Sequence, residues 1–164
     1  MFRVSVIAQT ARPLAPQVAR QLRRAHRRLK PRPKLADLSV VLVGDARMRS
    51  LHNRYMGIDR PTDVLSFELD HDARGNVLAG EVIVCVPEAR RQAKRRGTGA
   101  LNETLLYALH GMLHLCGFDD KTDAGFNRMH RMEDKILTQL GVGAVFGMAG
   151  SARALLPRKQ GKSS

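Results

Sequence analysis

The stretch that organises this protein is residues 101–120, which read LNETLLYALHGMLHLCGFDD. Apolar side chains recur there with the spacing of a helix, at Leu101, Leu105, Leu109 and Met112. The pattern predicts a long helix that Gly117 ends, because glycine readily adopts the backbone conformation that follows a helix. His110 and His114 stand four residues apart, so both imidazoles project from one face of that helix, one turn apart.

Two histidines at this spacing can present two nitrogen ligands to one metal ion. The chain reverses after the helix and can bring a third ligand, Asp119 or Asp120, back toward the pair. The spacing matches that of extended zinc-protease motifs, but Gly111 occupies the place of their catalytic glutamate. The alternative is a pair of structural histidines at the edge of the apolar stripe.

The flanking sequence alternates between predicted strands and predicted helices. Apolar runs predict four strands, at residues 2–8, 38–43, 64–67 and 82–86. Helical spacing, turn residues and Pro87 predict the remaining helices, at residues 14–30, 45–55, 87–97 and 124–140. Asp45 is the predicted N-cap of the second of them. This interleaving favours an α+β or α/β class with one mixed sheet.

Composition narrows the class of protein. The chain has 164 residues, the size of one ordinary domain, and it contains no apolar run long enough to cross a membrane. Two cysteines and no tryptophan exclude a disulfide scaffold and favour a reducing compartment, so we expect a cytoplasmic protein. We predict a domain over residues 1–148, followed by a basic disordered tail over residues 149–164.

The net charge of +13 is unevenly distributed. Residues 1–36 contain ten Lys or Arg and no acid, residues 150–164 add four more, and residues 37–149 are nearly balanced. An excess of this kind implies an acidic partner, with nucleic acid the first candidate and an anionic membrane surface the second. Aromatic residues are scarce, so phosphate contacts should outweigh base stacking.

Two blocks of the sequence resemble a known family. The run from His110 to Asp120 resembles the signature His-Gly-x-Leu-His-Leu-x-Gly-Tyr-Asp-His of the YbeY family, bacterial endoribonucleases that mature ribosomal RNA. Residues 55–67, with Pro-Thr-Asp-Val-Leu-Ser-Phe at 61–67, are similar to that family's other signature. Further similarity covers residues 80–84 and the last helix, at Met132, Glu133, Ile136 and Leu137. The resemblance implies a single αβα domain, in the α+β class, with one metal ion, usually zinc, held by three histidines.

The sequence departs from the family pattern at two positions. Asp120 stands where the family has its third histidine, and Met56 stands where it has an arginine. A carboxylate can still bind Zn²⁺, although it lowers the charge of the site by one and also suits iron or manganese. A thioether cannot clamp phosphate as a guanidinium does, but Arg54 and Arg60 are near in sequence and could substitute.

The resemblance therefore implies a metal-dependent, single-strand-type endoribonuclease that acts in late 16S rRNA processing and ribosome quality control, with the small ribosomal subunit as partner. One ion, zinc or another divalent metal, would be held by His110, His114 and Asp120. Asp119 is the candidate for proton transfer, and it could instead orient a histidine or shape the turn. The predicted RNA contacts are Arg54, Arg60, Arg91, Lys94 and Arg95.

Two other functions remain open at this stage. One is an RNA- or ribosome-binding assembly factor with weakened catalysis, given Met56 and Asp120. The other is a metalloprotease, which the ligand spacing alone suggests and which Gly111 disfavours. The sequence does not indicate an oligomeric state.

Overall fold

The computed structural model describes residues 1–142, and the predicted tail over 149–164 lies outside them. The strands are β1 (Arg3–Ala8), β2 (Asp37–Val43), β3 (Val64–His71) and β4 (Val77–Cys85). The helices are α1 (Ala15–Arg28), α2 (Asp45–Met56), α3 (Val86–Arg96), α4 (Ala100–Leu115) and α5 (Asp123–Gln139). A single 3₁₀ turn, Arg12–Leu14, precedes α1. Each of the predicted strands and helices is confirmed, with bounds that differ by a few residues.

The four strands form one mixed sheet in the order β1-β2-β4-β3. β1, β2 and β4 are parallel, and β3 pairs antiparallel with β4 at the edge of the sheet. The parallel strands alternate with helices along the chain, because a parallel pair needs a crossover connection. This arrangement confirms the predicted α+β class with one mixed sheet.

The sheet separates two layers of helices. Leu38, Val40 and Val82 point from it into the main core, where α1, α4 and α5 pack. Val43, Leu65 and Ile83 point to the other face, where Met48 and Leu51 of α2 cover them. α4 is buried along most of its length, as its apolar sequence predicts. The result is an αβα sandwich in which α4 lies against the sheet, between α1 and α3 and beside α5.

Several local predictions are corrected by the structure. Asp45 is the first residue of α2 rather than its N-cap, which is Gly44, and the Asp45 carboxylate pairs with Arg91 instead. β3 continues to His71, four residues beyond the strand predicted over residues 64–67. Within residues 1–142 no helix has the length and apolar character that crossing a bilayer requires.

Candidate metal centre

α4 approaches the sheet closely at Gly111. A Cβ atom at that position would lie 2.6 Å from a Val82 methyl group and 3.0 Å from the Ser66 hydroxyl, so no larger residue fits without a shift. At Gly80 of β4, a Cβ would meet the Leu115 side chain in the same way. These two glycines bring the helix and the sheet together, and the histidines project to the side of α4 that borders α5 and the loop over residues 117–122.

The structure brings together the three predicted metal ligands. His110 Nε2 and His114 Nε2 are 3.1 Å apart, and Asp120 Oδ2 lies 3.5 Å from each of them. Zn–N and Zn–O bonds of about 2.0–2.2 Å in a tetrahedron would separate ligand atoms by roughly 3.3–3.6 Å. The three donor atoms are therefore spaced as the corners of one face of such a tetrahedron, and the group could hold a metal ion.

The loop after α4 places Asp120. Gly117 has a positive φ of 98°, and the amides of Gly117 and Phe118 donate to the carbonyls of His114 and Leu113. This turn reverses the chain, as the sequence predicts. Burial acts to raise the pKa of Asp120, but hydrogen bonds with His110 and His114 lower it well below its usual range. Asp120 therefore stays a carboxylate, the form that a metal ligand needs.

Asp119 lies next to this group but does not join it. Its side chain is exposed, and its carboxylate accepts a hydrogen bond of 2.9 Å from the Lys121 amide. That contact stabilises the turn between α4 and α5. The alternative role as a turn residue thus has a structural basis, while the catalytic role of Asp119 stays a prediction.

Glu133 of α5 is a site residue whose role the sequence reasoning missed. It is fully buried, and its Oε1 lies 2.6 Å from His110 Nδ1. Its other oxygen lies 3.3 Å from His130 Nδ1. Burial acts to raise the pKa of Glu133, but attraction to His110 and a hydrogen bond with it lower the pKa below its usual range, and the contact with His130 adds to this. An acid among the apolar residues Met129, Ile136 and Leu137 is the signal that could have identified it.

The contact between Glu133 and His110 orients the imidazole. The Glu133 carboxylate accepts a hydrogen bond from Nδ1–H of His110, so in the neutral imidazole the lone pair is on Nε2, which faces His114 and Asp120. This is the arrangement in which metal-binding histidines are usually held. The site thus contains three residues that could hold a metal ion and a group that orients one of them.

The residues predicted to contact RNA lie outside α4, and they differ in how accessible they are to a ligand. Arg54, Lys94 and Arg95 are exposed, and the Arg54 guanidinium lies 5.5 Å from the centre of the Tyr55 ring. Arg60 is exposed as well, while its carbonyl accepts a hydrogen bond from His52. Arg91 instead has its guanidinium bound to Asp45 and Glu88.

Arg96, which follows the predicted RNA contacts Lys94 and Arg95 in sequence, is buried against Glu103 at 3.3 Å. Its side chain retains 4% of its exposure, and that of Glu103 none. The pair joins the end of α3 to the first turn of α4, so it supports the fold and is unavailable to a ligand.

Sequence and structure comparisons both find proteins that are similar to this chain. The family described as endoribonuclease YbeY matches residues 6–141. A protein named endoribonuclease YbeY from Moorella thermoacetica is 40% identical over 116 residues, which cover 65% of this chain and 74% of that protein. One of the same name from Anaeromyxobacter sp. is 41% identical over 122 residues, 73% of this chain and 62% of that one. A solution structure of TM1509 from Thermotoga maritima superposes with a TM-score of 0.61 at 24% identity, covering 98% of this chain and 100% of that one.

Proposed function

This chain belongs to the endoribonuclease YbeY family, and from that premise we propose that it is a metal-dependent endoribonuclease that cleaves single-stranded RNA. Its place would be ribosomal RNA maturation, in late 16S rRNA processing and ribosome quality control, with the small ribosomal subunit as partner in the cytoplasm. The observation that carries the proposal is the 3.1–3.5 Å spacing of the donor atoms of His110, His114 and Asp120.

Zinc is the metal that we propose. Two imidazole nitrogens and one carboxylate oxygen leave the fourth tetrahedral position open, which is the pattern of catalytic zinc sites. The same donor set also suits iron or manganese. We choose zinc because the spacing of the three donor atoms fits a tetrahedral site. When bound, such an ion supplies a Lewis acid for the phosphoryl group and an acidified water.

Side chains of the protein would bind the metal, accept the released proton and contact the substrate phosphates. His110 and His114 bind as neutral imidazoles, and Glu133 holds the Nδ1 proton of His110. Asp119, exposed beside the ligand Asp120, would accept the proton released in the reaction. The exposed cations Arg54, Arg60, Lys94 and Arg95 would contact the phosphates of the substrate, with Arg91 contributing if it leaves its acidic partners.

A second candidate function is an RNA- or ribosome-binding assembly factor with weakened catalysis. The observation that favours it is Met56, which is 41% exposed at the position where the family has its arginine. An exposed thioether offers no positive charge to a phosphate, so one source of transition-state stabilisation would be missing.

The test is cleavage of a 5′-labelled hairpin RNA with a single-stranded 3′ extension. We expect cuts in the extension that stop with a chelator and return when zinc is added. Binding without cleavage, at any divalent metal, would favour the assembly factor. Chelator-sensitive hydrolysis of casein without RNA cleavage would show a metalloprotease instead.

A further inference from the structure

The first helix has two faces of opposite character. Its core-facing residues are all buried: Val18, Ala19, Leu22, Ala25, His26 and, just after the helix, Leu29. Its other side carries five arginines: Arg20, Arg23, Arg24, Arg27 and Arg28. At about 100° per residue, these arginines span roughly 140° of the helix, centred opposite the buried side. We call them the α1 arginine face.

The arginine face carries charge that nothing within residues 1–142 neutralises. Arg20, Arg23, Arg27 and Arg28 are exposed, and none of the five forms a salt bridge with a described acid. Arg23 donates to the Val4 carbonyl and Arg24 to the Gln21 side chain, both neutral acceptors. Exposed cations at Lys30, Arg32 and Lys34 continue the surface beyond the helix.

Helix stability does not account for this arrangement. Cations in the last turn of a helix interact well with its dipole, which explains Arg27 and Arg28. Arg20 lies two turns earlier, and like charges three or four residues apart, such as Arg20 and Arg24, repel each other. A helix that keeps this repulsion suggests a negatively charged partner that relieves it.

The chemistry of the face favours nucleic acid over a lipid surface. All five cations are arginines, whose planar guanidinium matches phosphate bidentately. A helix that binds a bilayer also inserts apolar side chains, and those of α1 are already buried in the core. The segment Arg20–Arg28 is about 12 Å long, enough to contact two or more successive phosphates of one RNA strand.

We propose that the α1 arginine face binds the phosphate backbone of RNA, at a place separate from the metal centre. The identity of the partner rests on the proposed function, while the binding itself does not require catalysis. α1 packs beside α4 in the same layer, so one RNA molecule can lie along α1 while another part of it reaches α4.

The experiment compares two triple variants of the full chain. Arg20→Gln, Arg27→Gln and Arg28→Gln remove three charges from the face. Arg47→Gln, Arg74→Gln and Lys135→Gln remove three exposed charges elsewhere. Each variant is first checked for an unchanged circular dichroism spectrum and thermal melt, which should hold because glutamine is a good helix former. Binding of a fluorescein-labelled hairpin RNA is then measured by anisotropy in chelator, from 50 to 300 mM KCl.

We expect the arginine-face variant to bind about tenfold or more weakly at 50 mM KCl, with a salt dependence lower by about two units, since each phosphate contact contributes about 0.7–0.9. The control variant should change less than about threefold. Equal weakening in both variants, or none in the first, would overturn the proposal. Loss of binding to phosphatidylserine vesicles with RNA binding intact would do the same.

The same measurements separate this proposal from the proposed function. Wild-type protein that binds RNA through the face but never cleaves it would refute the endoribonuclease and leave the binding surface in place. Cleavage with normal kcat and KM in the arginine-face variant, together with unchanged RNA affinity, would refute the surface and leave the enzyme.

Discussion

The metal centre on α4 and the arginine face of α1 belong to neighbouring helices of one layer, but their charged side chains are in opposite environments. At the metal centre each charged group has a partner, and Glu133 is completely buried. On the arginine face four of the five arginines are exposed, and none of the five has an acidic partner among the described residues. Chemistry requires fixed atoms at fixed distances, whereas affinity for a polyanion requires only a density of charge. The two regions should therefore respond to different perturbations.

The largest effect should come from His114→Ala. Removing one of three ligands should abolish bound metal and RNA cleavage, while RNA affinity in chelator stays within about twofold because the arginine face is intact. Mass spectrometry measures the metal content, and fluorescence anisotropy measures the RNA affinity. His71→Ala changes an exposed histidine of β3 that pairs with Glu68; it is the matched control and should keep full metal content. Unchanged metal content in His114→Ala would remove the basis of the site.

The next largest effect should come from Glu133→Gln. An amide can still accept from His110 but lacks the charge that holds its Nδ1 proton, so zinc affinity should fall about tenfold, and up to 100-fold for Glu133→Ala. Competition with a chromophoric chelator measures this without any catalysis. His130→Gln, which removes the more distant contact at 3.3 Å, should have a smaller effect. If the two variants were equal, Glu133 would have no specific role in orienting His110.

A smaller gain should come from Met56→Arg. A guanidinium there would restore one charge-assisted contact of about 1.5 kcal/mol, which corresponds to roughly a tenfold rise in kcat/KM for RNA. Met56→Leu is the control and should leave the rate unchanged, since it adds no charge. A rise in affinity without a rise in kcat would assign position 56 to binding alone.

The smallest effect concerns the buried side of α1. Burial lowers the pKa of His26, whose ring also hydrogen-bonds to the Leu35 carbonyl and stacks on Phe2. The folded state therefore binds fewer protons than the unfolded one, so stability is full above pH of about 6.5 and falls as the pH drops below it. Urea unfolding at pH 7.5 and 5.0 should show this fall, and His26→Gln should reduce it. An equal fall in both proteins would show that His26 does not contribute.

The sequence predicted the elements better than the contacts between them. α1 and α4 follow from apolar spacing within a single segment, and so does the pairing of His110 with His114. The burial of His26, a polar residue between arginines in the sequence, depends on Phe2 and Leu35 from other segments. The role of Glu133 and the burial of Arg96 could not be predicted for the same reason, because their partners lie on different helices. The family resemblance indicated the metal ligands, but not the group behind them.

Gly111 limits which catalytic motifs α4 can carry. A zinc-protease motif would place a glutamate at that position, one residue beyond the first histidine. Here the position faces β4, and a Cβ atom would overlap the Val82 side chain. Introducing the glutamate would push α4 away from the sheet and carry both imidazoles out of register with Asp120. A single Gly111→Glu substitution is therefore not expected to convert this fold into a peptide-cleaving enzyme. Space would first have to be created at Val82 and Ser66.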